Sequence, residues 1–135
     1  MPSRPDLGSM AGRRPLSAAA AVTWAVAIGW ISVMSDPSGT DLGRSLDWLP
    51  TAAHFTFYFG LTVLSFLWLE GAKHSLSISL GLVFLAAVGY GAIMELAQFQ
   101  VPGRTPSMWD VGVNAVGALA AVGLLGLLSL VRSRM

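Results

Sequence analysis

The chain has 135 residues, of which 54% are hydrophobic and 11% charged, with a mean hydropathy of +0.66 and a net charge of +1. Soluble domains carry about 25% charged residues, so this composition argues against a water-soluble fold and for the bilayer. The near-zero net charge lacks the basic field that nucleic-acid binding uses, and with no cysteine there are no disulfides or thiolate metal sites.

Residues 1–14 are polar and rich in Pro and Gly, and are expected to be a disordered cytoplasmic terminus. The run "PLSAAAAVTWAVAIGWISVMS" then predicts a first transmembrane helix over about 15–35. Arg13 and Arg14 before it would also suit a signal peptide. However, the apolar run is too long for an h-region and its alanines lie at the wrong end for cleavage, so a retained helix is the expectation. Residues 36–50, "DPSGTDLGRSLDWLP", have the chemistry of a loop. "TAAHFTFYFGLTVLSFLWL" predicts the second helix over 51–69, and "EGAK" a tight turn. The third helix is expected over about 74–98, followed by a proline-bounded connection, "QVPGRTPS". The fourth is expected over about 108–131, with residues 132–135 as a cytoplasmic tail. Each run approaches the roughly 20 apolar residues a membrane-spanning helix needs. The predicted fold class is therefore all-α, a polytopic membrane bundle of four transmembrane helices.

Cytoplasmic flanks favour Lys and Arg. With the N-terminus inside, Arg4, Arg13, Arg14, Lys73, Arg132 and Arg134 lie on the cytoplasmic side, six of the eight basic residues. Arg44 and Arg104 then lie outside. Both termini are expected in the cytoplasm of a cell with a multi-pass protein in its membrane. Trp30, Trp48 and Trp109 would sit at the outer interface, Trp68 at the inner one, and Trp24 in the core.

This orientation gathers polar groups from three helices at the extracytoplasmic side. His54 and Tyr58 are four apart and share a face, as do Glu95 and Gln98 at a spacing of three. Asp110, Asn114 and Gly117 fall on one stripe. All three stripes should point inward, because a polar side chain facing lipid costs several kcal/mol. Arg104, in the connection, can fold over the cluster and pair with Glu95 or Asp110. A plainer reading stands beside this one: such residues also tie helices together, Asp110 suits an N-terminal cap, and Gly112 and Gly117 suit close helix packing. His54, Glu95 and Asp110 form a His-plus-carboxylate set, but a single histidine without a close-spaced ligand pair does not predict a metal, and no cofactor is expected. No catalytic residue can be assigned.

The pattern E-x-x-Q-x-x-x-x-x-R-x-x-x-x-x-D-x-x-x-N-x-x-G is filled by Glu95, Gln98, Arg104, Asp110, Asn114 and Gly117, with "HFTFY" upstream. With this spacing the chain resembles the VanZ-like family of small bacterial membrane proteins over about residues 20–130. The family's usual Asp-Lys pair before the histidine is missing. Pro50 and Thr51 stand there, and Asp47 lies three positions early, so a role needing that lysine is not carried over. The family is named for a protein linked to low-level teicoplanin resistance. The resemblance implies a cell-envelope setting: an integral protein of the bacterial inner membrane that modulates glycopeptide susceptibility or binds an envelope lipid or cell-wall component. An intramembrane enzyme acting on a lipid-linked substrate, and a purely structural membrane partner, remain alternatives. The expected partners are the bilayer and such a component or glycopeptide, not nucleic acid.

Overall fold

The computed structural model describes residues 7–34, 48–70, 74–102 and 104–135, with side chains from residue 14 onward. Among these residues there is no strand, and four helices carry the fold: α1 (Leu7–Val33), α2 (Leu49–Leu69), α3 (Leu76–Gln98) and α4 (Met108–Arg134). All four are long and apolar enough to cross a membrane. In no helix is more than 28% of the apolar window buried inside the bundle. The remaining surface includes Leu16, Val26, Leu85, Ile93 and Leu119, all exposed. A bundle with this much outward-facing hydrocarbon needs lipid around it. The chain is therefore described as a multi-pass membrane protein.

One boundary differs from the sequence expectation. Helix α1 begins at Leu7, within the stretch expected to be disordered, and Pro15 lies inside it. Proline suits a first helical position but is not confined to it. Its missing N–H forfeits one bond to the carbonyl four residues back, a loss that the polar end of a membrane helix can offset with water. The apolar span itself still starts at Arg14. At the other end, α4 runs on through Arg132 and Arg134, whose charges favour the negative end of the helix dipole. Ser75 caps α3 by accepting the Ile78 N–H at 3.4 Å. Residues 71–73 of the "EGAK" turn and most of the 36–50 loop lie outside the described residues.

Helix α2 packs against all three other helices, most extensively against α4, while α1 leans on α2 and α3 and stays off α4. Two apolar clusters fill the interior. One joins Ile28, Tyr58, Leu61, Ala87 and Ala118; the other joins Phe66, Val83 and Leu125. Trp24 belongs with the first cluster, as its mid-helix position suggests. Its indole N–H donates to the Phe57 carbonyl at 2.9 Å, and its ring meets Phe57 edge-on. The Tyr90 hydroxyl donates to the Ala25 carbonyl at 2.6 Å and ties α3 to α1. In a setting where apolar surface gains little by leaving lipid, such bonds and close packing hold helices together.

Gly117 sets the closest approach. A Cβ added there would strike the Phe55 carbonyl oxygen and lie 3.1 Å from its carbon, so the backbones of α2 and α4 meet at this point. Ala118 and Ala121 continue the small-residue contact with no exposed surface. Gly112 does not. It was expected at a packing contact, but a Cβ there would meet nothing within 4 Å. Two residues after Asp110, it turns to the outside of the helix and lines a groove instead.

The two ends of the bundle differ in character. At one end the Arg14 guanidinium donates to the Glu70 carbonyl at 3.3 Å, and Arg132 lies 3.7 Å from the Glu70 carboxylate. This places the start of the apolar span of α1 and the finishes of α2 and α4 together. The finish of α3 and the start of α4 lie at the opposite end, where the polar residues gather.

Candidate functional site

The connection between α3 and α4 organises the site. Ser107 is the N-cap of α4, in extended conformation, and its hydroxyl accepts the Asp110 N–H at 3.2 Å. Asp110, a candidate for the cap on the plainer reading, is instead the third residue of the helix. In the usual reciprocal box the residue at that position reaches back to the N–H of the cap. Here the Ser107 N–H donates at 3.0 Å to Oε2 of Glu95, one turn before the end of α3. Glu95 thus takes half of the box and staples α3 to α4. The Asp110 carboxylate is left to turn toward the cluster.

From α2 comes His54. Its Nδ1 lies 2.9 Å from Oδ1 of Asn114, four residues into α4 from Asp110. An amide oxygen only accepts, so in this arrangement Nδ1 carries the proton, and Nε2 is the ring nitrogen not engaged by Asn114. His54, Glu95 and Asp110 each present a ligating atom, and all three atoms lie within 4.8 Å of one another. The sequence spacing placed these residues on inward stripes, and the structure brings the stripes together.

Burial follows the same pattern. Glu95 and Gln98 are each 3% exposed and Asn114 1%, while His54 and Asp110 are half-buried. Tyr58 is buried in the apolar cluster below the site. Gly91 makes room for the site: a Cβ there would lie 3.0 Å from Asn114 Nδ2 and 3.1 Å from the Tyr58 ring. Among the described residues, three buried polar side-chain atoms have no hydrogen-bond partner, namely Glu95 Oε1, Asn114 Nδ2 and Arg104 Nε.

Arg104 departs from the expectation. It is half-buried in the connection, but no carboxylate among the described residues comes within ion-pair distance of it. Its backbone N–H closes a local turn onto the Val101 carbonyl at 3.1 Å, which fixes where the side chain starts, and the group that meets Glu95 is the Ser107 N–H. Ser107 is the residue that sequence reasoning missed. The signal was present, because S-x-x-D immediately before an apolar run is a helix-start signature.

On the outer face of α2 and α4, at the same end of the bundle, lies an apolar groove of about 800 Å³. Trp48, Ala52, Phe55, Met108, Trp109 and Val113 form much of its lining. Toward the opposite end, Phe66, Val83 and Leu125 close the interior with hydrocarbon.

No family model, curated protein or solved structure matches this chain.

Proposed function

We propose that this is a VanZ-like protein of the bacterial cytoplasmic membrane whose polar cluster faces outward and binds the head group of a lipid-linked envelope component. Both termini are then cytoplasmic, which puts Arg14, Arg132 and Arg134 inside, as the distribution of basic residues favours. Any effect on glycopeptide susceptibility would follow from that binding.

The observation that carries this reading is the set of orphaned atoms. A cluster that only stabilised the bundle would satisfy its own buried polar groups, since leaving one unmade costs about 1–3 kcal/mol. Glu95 Oε1, Asn114 Nδ2 and Arg104 Nε offer one acceptor and two donors to something else. The groove between α2 and α4 supplies an apolar channel at the same end, suited to an acyl chain.

Native mass spectrometry of the protein extracted with its own lipids tests the proposal. The wild type is expected to retain a specific lipid that Glu95→Ala and Arg104→Ala lose while keeping their helical content. Identical lipid spectra for wild type and both variants would return the cluster to a structural role. A second reading, an intramembrane enzyme, is favoured by the approach of His54 to two carboxylates, the type of group that serves as general base. A retained lipid that is converted by wild type and not by His54→Gln would establish it.

A further inference from the structure

We infer that His54, Glu95 and Asp110 together hold a divalent first-row transition cation, of the zinc or manganese type, with one or more positions left open to a ligand oxygen. The sequence offers these three donors without predicting a metal, because they come from three different helices and only their convergence makes a site.

The geometry fits a metal-free cation site. Ligand bonds of about 2.0–2.2 Å place ligand atoms roughly 3.0–3.6 Å apart. The three ligating atoms here lie within 4.8 Å of one another, a gap that small side-chain rotations close. One imidazole with two carboxylates suits zinc, manganese or ferrous iron. Three protein ligands with an open position is the pattern of sites that engage a further ligand rather than sites that only brace a fold.

Supporting contacts are already in place. A metal-ligating histidine characteristically donates its other ring N–H to an oxygen, and Asn114 Oδ1 receives Nδ1 of His54 at 2.9 Å. The other ring nitrogen, Nε2, is then the one that would ligate the cation. Glu95 is oriented by the Ser107 N–H on Oε2, while Oε1 is buried without a partner in a residue only 3% exposed.

Charge points the same way. Two carboxylates this close in a membrane bundle repel each other and are costly to bury unpaired. Among the described residues no Lys or Arg pairs with either of them. A divalent cation would neutralise both, whereas a shared proton would neutralise one. The inference rests on the proposed function only in treating the cluster as a ligand site; the cation can bind without the lipid and the lipid without the cation.

The test uses the full chain in detergent, stripped with a chelator and desalted. Zinc and manganese chlorides are then added separately, and metal per protein is measured by mass spectrometry after a second desalting. The wild type should retain about one equivalent of at least one cation, and its melting temperature should rise in the presence of that cation. His54→Gln, Glu95→Gln and Asp110→Asn should each bind at least about tenfold more weakly and lose the shift, and Asn114→Ala, which removes only the orienting contact, should weaken binding about 10- to 100-fold. Tyr90→Phe, whose hydroxyl bonds Ala25 and not the cluster, should bind as the wild type does. Circular dichroism establishes that each variant is folded. No stoichiometric retention of either cation by the wild type would overturn the inference, as would equal retention by a variant carrying all three ligand substitutions. Lipid retained by a protein that takes up neither cation would leave the binding function standing while the metal fell. Metal retained with no specific lipid would do the reverse.

Discussion

Ser107 does two jobs with two atoms. Its hydroxyl caps α4 through the Asp110 N–H, and its N–H holds Glu95. These can be separated. Ser107→Ala removes the cap but keeps the backbone N–H, so it should cost about 1 kcal/mol of stability while leaving lipid retention near that of the wild type. Ser107→Asn, a good capping residue, should recover most of the loss. Unfolding in mixed detergent micelles would measure both. A Ser107→Ala protein that has lost its lipid would mean that the hydroxyl serves the site directly. Part of this arrangement is readable from the residues: the inward stripes of His54, Glu95, Gln98 and Asn114 follow from helical spacing and the cost of facing lipid. The rotation of α2 against α4 does not follow from spacing, so the bond between His54 and Asn114 is not readable. Nor is the missing Arg104 pair, because charge complementarity predicts an ion pair, whereas the path of the connection decides where the guanidinium lies.

At the scale of helices, the contact between α2 and α4 depends on one missing side chain. Gly117→Ala would push a methyl group into the Phe55 carbonyl, and backbone cannot yield as a side-chain tip can. Overpacking of this kind costs about 1–3 kcal/mol, and here it would also shift His54, one residue before Phe55, away from Asn114. Gly112→Ala meets open space and should be neutral or slightly stabilising, since alanine favours the helix by about 1 kcal/mol over glycine. Comparing the two melting temperatures decides whether close approach at residue 117 is what holds the pair. Sequence reasoning treats both glycines alike because a small-residue pattern does not reveal which member faces a neighbour. The spans themselves are legible, since length and hydropathy dictate them. The start of α1 is less so, because Pro15 looks like a helix beginning and sits eight residues inside one.

For the whole molecule, the absence of cysteine makes topology directly measurable. Thr105 and Met135 are both exposed and lie toward opposite ends of the bundle. In intact cells a membrane-impermeant maleimide should label Thr105→Cys and leave Met135→Cys unlabelled until the membrane is opened. The reverse pattern would invert the proposed orientation and turn the cluster toward the cytoplasm.

The division of the bundle into a polar end and a hydrocarbon-filled end also has an electrical meaning. A membrane potential does about 2.3 kcal/mol of work on each elementary charge per 100 mV when the charge crosses the full thickness. A charged group reaching His54, Glu95 and Asp110 from their own end travels only a shallow part of that distance. Beyond them, Phe66, Val83 and Leu125 bar the way, so most of the voltage falls across the part of the protein that the charge never enters. Occupancy of the cluster by the proposed ligand would then be set by chemistry at one face and change little with the voltage across the membrane.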